Sequence, residues 1–126
     1  MLKEYKFTIQ GTLPGLNEYI NAERRNKYAA AKMKHQTESL IMLMARNKLR
    51  GLRITQPVKI HYLWVEKDRR RDLDNISFAK KFIQDALVKS KILENDNQSH
   101  IIGFSDDFAV DKKNPRVEVT ITLVGK

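Results

Sequence analysis

Residues 58–65 read Val-Lys-Ile-His-Tyr-Leu-Trp-Val, and the rest of the fold follows from how this stretch is placed. Val58, Ile60, Tyr62 and Trp64 fall on one side of a period-two chain, and Lys59, His61, Leu63 and Val65 on the other. Both sides carry apolar residues, which places this strand centrally in a sheet. Pro57 bounds it before, and the charged run Lys67 to Arg71 bounds it after. From Asn75 to about Lys89 the period becomes helical. Ile76, Ala79, Phe82, Ile83, Ala86 and Leu87 gather on one arc and predict a central helix laid on the sheet.

Outward from this centre, Tyr5, Phe7 and Ile9 alternate with Lys6, Thr8 and Gln10 as a half-buried strand, ended by Gly11 and Pro14-Gly15. From about Asn26 to Arg50 the chain has no Gly or Pro and is rich in Ala, Lys, Met, Leu, Gln and Arg, which predicts a long helix terminated by Gly51. Leu40, Leu43 and Met44 are expected to face the core from its second half. Its approach and first half carry Arg24, Arg25, Lys27, Lys32 and Lys34, opposed only by Glu23 and Glu38. Residues 92–99 form an acidic, amide-rich loop. Ile101 to Val110 reads as a strand, and after Pro115 the alternation of Val117, Val119, Ile121 and Leu123 predicts another. With no repeat or linker, residues 1–126 are expected to form one α+β domain: a mixed sheet, one long N-terminal helix and one central helix.

Twenty-four Lys and Arg against 15 Asp and Glu leave a formal charge of +9. Such an excess draws anions, and the abundant polymeric anions are nucleic acids. The absence of cysteine excludes a disulfide scaffold, a Cys-based zinc site and a thiol nucleophile. The longest apolar run, Leu40 to Ala45, is too short for a membrane span, and Lys3, Glu4 and Lys6 stand where a signal peptide needs apolar residues. The expectation is a cytoplasmic chain with no membrane partner.

Chemistry concentrates in Arg69-Arg70-Arg71-Asp72-Leu73-Asp74-Asn75. Residues two apart on an extended chain point the same way, so Asp72 and Asp74 can present two carboxylates to one point, as a hard divalent cation requires. The plainer alternative has Asp74 capping the next helix and Asp72 paired with the arginines. Three arginines beside two aspartates also make a positive rim at a cation site, the combination phosphodiester cleavage uses. Lys81 lies seven residues after Asp74 and four before Asp85, on the same arc of an unbroken helix, where an i,i+4 salt bridge to Asp85 is its ordinary role.

These motifs, followed by Leu93-Glu94-Asn95-Asp96-Asn97-Gln98 and joined by Leu13-Pro14-x-x-Asn17 and the closing strand, resemble the RusA-type Holliday-junction resolvases. Members of that family are small basic endonucleases often carried by phages and prophages. The resemblance implies a mixed α+β homodimer that cuts four-way DNA junctions in recombination and repair. It implies three aspartates that bind Mg²⁺, with Mn²⁺ as a substitute, and a helix lysine that assists. By motif position these are Asp72, Asp74, Asp96 and Lys81. The spacing from Asp74 to Asp85-Ala86-Leu87 is about three residues longer than the family's best-known arrangement, which leaves Lys80 as a rival. Lys81 keeps the four-residue distance to Asp85 and is preferred. DNA contacts are expected from Arg24, Arg25, Lys27, Lys32, Lys34, Arg69, Arg70 and Arg71.

A non-catalytic nucleic-acid-binding module accounts for the charge equally well, but has no use for acids set among arginines, since carboxylates repel phosphate unless a cation intervenes. A strand-borne Glu-x-Lys nuclease motif is matched by Glu4-Tyr5-Lys6, yet no acid precedes it. His35, His61 and His100 lack ligand spacing. Trp64, Met33, Met42 and Met44 need only a packing role.

Overall fold

A computed structural model describes residues 3–125. The chain runs β1 (Glu4–Gln10), α1 (Leu16–Arg25), α2 (Lys27–Lys48), β2 (Val58–Glu66), α3 (Leu73–Ser77), α4 (Lys80–Lys89), β3 (Ile101–Val110) and β4 (Arg116–Leu123). The strands form one mixed sheet in the order β1-β4-β2-β3. β4 pairs antiparallel with both β1 and β2, while β3 runs parallel to β2 and occupies an edge. The α+β class and the interior place of β2 match the sequence expectation.

Helices cover one face of the sheet. Phe7, Ile9, Ile60, Tyr62, Trp64, Val117, Val119 and Ile121 point into that layer and are buried against α2 and α4. All six apolar positions expected on the core side of the central helix are buried there. That helix is not continuous, however. α3 stops at Ser77, Phe78 and Ala79 form a tighter turn, with Ala79 N–H bonded to the Ile76 carbonyl at 3.3 Å, and α4 begins at Lys80. The turn alters the angular relation between Asp74 and the lysines that an unbroken helix implies.

The N-terminal helix also differs in two respects. A separate α1 precedes it, and Asn26 divides the two with extended backbone while its side chain accepts from Ala29 N–H at 2.8 Å as the N-cap of α2. The core face of α2 is Ala30, Thr37, Glu38, Ile41 and Ala45. Leu40 and Leu43, expected inward, are 42% and 54% exposed. The cause is Glu38. Only 2% exposed, it is bound by Lys89 of α4 and lies 3.3 Å from Lys34, which also reaches Asp85 at 3.3 Å. Paired charge makes the burial tolerable and turns the helix away from the face an apolar count selects.

Candidate functional site

At the end of β2, Glu66 is almost buried, and Arg71 folds back onto it with two parallel bonds: Nε to Oε1 and Nη2 to Oε2, both 2.9 Å. The same guanidinium donates through Nη1 to the Leu13 carbonyl at 3.2 Å and to Glu18 at 3.1 Å. Burial works to lower its pKa, but Glu66 and then Glu18 outweigh that and hold it above the ordinary arginine value. Arg71 therefore joins the charged turn to β2 and α1.

The Leu13-Pro14-x-x-Asn17 segment docks on the same turn. Asn17 N–H donates to Asn75 Oδ1 at 2.9 Å. Gly15 packs so closely that a Cβ there would lie 2.5 Å from Asn75 Oδ1 and 2.8 Å from the Asn75 carbonyl oxygen. Only a residue without a side chain permits this approach.

Asp72 and Asp74 sit on the platform so formed. Asp72 occupies the N-cap position of α3 but makes no side-chain cap bond, and its backbone carbonyl accepts from Ile76 N–H at 3.1 Å. Asp74 Oδ1 accepts from Asn75 N–H at 2.9 Å. Both residues are exposed, and among the described residues neither has a cationic side chain within 4.0 Å. Neither arginine pairing nor capping occupies these carboxylates. Beside them, at the carboxyl ends of β2 and β3, a cleft of about 230 Å³ is lined by Glu66, Arg69, Arg71, Leu73, Phe108 and Val110. Clefts at this end of a parallel strand pair are common ligand sites.

Asp96 lies elsewhere. It precedes β3, whose first residue pairs with the first of β2, whereas Asp72 and Asp74 follow the last. Nine residues of β2 separate the two ends, roughly 25–30 Å of strand. Consistent with this, no three His, Cys, Asp or Glu side chains among the described residues gather as a metal-binding group. The Asp96 loop is ordered by its own amides: Asn95 Oδ1 accepts from Asp96 N–H at 2.7 Å, and Asn97 Oδ1 from Ser99 N–H at 3.2 Å.

The two lysines part at the start of α4. Lys81 is 63% exposed and 3.3 Å from Asp85. Lys80 turns inward, donates to Asp106 of β3 at 2.5 Å and covers the Phe104 ring at 4.0 Å. Trp64 Nε1 donates to the other Asp106 oxygen at 2.8 Å. Of the basic residues expected to meet DNA, Arg24, Arg25, Lys27, Lys32, Arg69 and Arg70 are exposed, while Arg71 and Lys34 are held in internal ion pairs. For Lys34, burial acts to lower the pKa, and Glu38 and Asp85 together raise it above the ordinary value.

Glu66, Asn75 and Asp106 carry structural weight that the sequence reading did not assign. Asn75 directly follows the aspartates and was open to notice. Glu66 and Asp106 become partners only when the chain folds across the sheet.

No helix among the described residues is long and apolar enough to cross a membrane. No curated protein matches the chain. A protein-family model, Endodeoxyribonuclease RusA, matches residues 12–122 and thus takes in the Gly15 approach, the Asp72–Asp74 platform, both lysines and the Asp96 loop. With nearly its whole length accounted for in this way, the chain belongs to the RusA endodeoxyribonuclease family.

Proposed function

We propose that the chain resolves four-way DNA junctions as a two-fold homodimer, each site using Asp72 and Asp74 of one protomer and Asp96 of the other. The observation that carries this reading is the pair of exposed carboxylates, free of cationic partners, beside an arginine-rich turn in a member of an endodeoxyribonuclease family. Carboxylates left unpaired among so many cations suit a hard divalent cation, Mg²⁺ or Mn²⁺, which takes a few carboxylate oxygens and fills its remaining positions with water and phosphate oxygens. Such a cation, when bound, supplies an activated water and neutralises charge on the phosphate. Arg69 and Arg70 hold the DNA backbone at the site, and Lys81, the exposed lysine, meets phosphate charge from α4.

Asp96 sits at the opposite end of the sheet from Asp74, so a single chain does not unite the three acids. A second protomer related by a two-fold axis can bring its own Asp96 to the Asp74 end, and symmetric cuts in two strands need two such sites. Junction resolution then ties the protein to recombination and repair.

The test mixes two inactive variants. Asp74→Asn and Asp96→Asn each abolish Mg²⁺-dependent cleavage of a synthetic four-way junction while leaving binding intact. In a heterodimer of the two, one site recovers all three aspartates and the other loses two, so the mixture nicks one strand without resolving the junction. If Asp96 served its own chain, the mixture would stay inactive. Wild-type protein that binds the junction and cuts nothing in Mg²⁺ would leave a non-catalytic binding module.

A further inference from the structure

Near the amino ends of β2 and β3 the molecule carries cations that the proposed site leaves unused. The segments that follow α2 and α4 lie side by side there: Ile54 N–H donates to the Ile92 carbonyl at 2.8 Å, and Ile54 bridges to Leu93. Between the two helix ends opens a cleft of about 380 Å³, whose lining includes Arg46, Arg50, Arg53 and Lys91, with Asn47 and Ser90 as neutral donors. All four cations are exposed and no carboxylate lines the cleft. Among the described residues, none of the four has an acidic side chain within 4.0 Å. Glu94, which borders the adjoining groove with Arg53 and Lys91, lies 3.6 Å from His100 instead. Like charges gathered without counterions repel one another, and an anion entering between them relieves that repulsion.

Helix ends account for part of this charge. Arg46 lies in the last turn of α2 and Lys89 in the last turn of α4, where a cation meets the carbonyl end of the helix dipole and needs no ligand. Arg50, Arg53 and Lys91 lie past those ends. Lys91 adds an independent observation. It donates its N–H to the Val88 carbonyl at 2.9 Å, and Ile92 donates to the Leu87 carbonyl at 3.1 Å, a helix ending whose left-handed position normally belongs to glycine. Across the cleft, after α2, Gly51 takes such a position with φ 75°. After α4 it is Lys91, with φ 65°, the one non-glycine residue of positive φ among the described residues. A side chain kept where glycine would be less strained points to a use for that side chain.

We infer that this cleft binds the phosphodiester backbone of a DNA arm, with Arg50, Arg53 and Lys91 each meeting a phosphate. Guanidinium forks suit phosphate oxygens, and a lysine supplies a point charge beside them. The inference rests on the reading of the chain as a junction nuclease and deepens it. The cleft shares its end of the sheet with Asp96 and lies away from Asp72 and Asp74, so in the dimer it flanks the acid that completes the other protomer's site.

The test measures binding of a synthetic four-way junction to the full chain over a range of salt, with Mg²⁺ omitted so that nothing is cut. Arg50→Ala/Arg53→Ala should lower the slope of log K against log salt by about two units. Lys6→Ala/Lys59→Ala, which removes the same charge from the open face of the sheet, should lower it far less. Lys91→Gly should do two things at once: raise the melting temperature, by releasing the left-handed lysine, and lower the slope by about one unit. Should the arginine pair fail to fold, Lys91→Gly still decides the matter.

An unchanged slope in the arginine variant, or an equal fall in the Lys6→Ala/Lys59→Ala control, would overturn the proposal. So would a Lys91→Gly protein with a lowered melting temperature and an unchanged slope, which would assign that lysine to the helix dipole. Polyglutamate binding that the arginine variant weakens, with junction binding untouched, would give the cleft to an acidic polypeptide and overturn it as well. The nuclease reading fails separately. Wild-type protein whose junction binding depends on the cleft but which cuts nothing when Mg²⁺ is restored supports the cleft and refutes that reading, whereas cleavage by wild-type protein together with an unchanged slope in the arginine variant refutes the cleft alone.

Discussion

Lys80 and Lys81 are adjacent in sequence and opposite in circumstance. Lys80→Ala would leave the partly buried Asp106 carboxylate without its cation, at a cost of about 1 kcal/mol. Lys81→Ala removes an exposed i,i+4 pair worth about 0.5 kcal/mol. The expected outcome is a lowered melting temperature for Lys80→Ala, and for Lys81→Ala a near-native melting temperature with a slower single-turnover cleavage rate. A cleavage rate unaffected by Lys81→Ala would restrict that lysine to its salt bridge. Tyr62 offers a pH-dependent counterpart. Burial pushes its phenol well above the ordinary 10.0, Gln84 as donor works against that, and the Asp106 charge adds to it. A group whose pKa is raised on folding contributes stability that is complete below the unfolded value and is lost as pH climbs beyond it. Denaturant melts should therefore show wild-type stability falling from about pH 10 upward, and a shallower fall for Tyr62→Phe. Parallel falls in the two proteins would assign the alkaline loss to other groups.

Among elements, α3 depends most on its neighbours, since five residues cannot hold a helix alone. Its position comes from Arg71 and from the close approach of Gly15 to Asn75. Gly15→Ala forces the Asn75 backbone to shift and should cost about 1–3 kcal/mol. It should also depress cleavage further than its melting temperature explains, because the displaced residue adjoins Asp74; activity tracking stability alone would count against this. Strands proved easy to read, because period-two alternation marks which face is buried whatever the packing partner. The core arc of α4 was equally plain. What escaped were effects of charge burial and local turns. The face of α2 is chosen by Glu38 and its two lysines, which an apolar count cannot register, and the break at Phe78–Ala79 lies in residues that carry no turn signature. The two aspartates stood out through their spacing. The inward turn of Arg71 did not, because Glu66, Glu18 and the Leu13 carbonyl come together only in the folded chain.

Over the whole molecule, a charge of +9 predicts junction binding that weakens steeply with salt. Each phosphate contact contributes roughly one unit to the slope of log K against log salt. Replacing exposed Arg69 and Arg70 by alanine should reduce that slope by about two units, whereas Arg71→Ala should lower stability and leave the slope nearly unchanged. Equal slopes for all three proteins would remove the turn from the DNA interface. The strand order has one more effect, on timing. β1, the first of the four described strands in chain order, has β4 as its strand partner, and β4 is the last of them. The two ends of the sheet are thus held open until residues 116–123 emerge, and Glu4 meets Thr122 only then. The sheet cannot be completed before residues 116–123 are made, and a truncation before Arg116 costs it two strands rather than one, because β1 loses its strand partner as well.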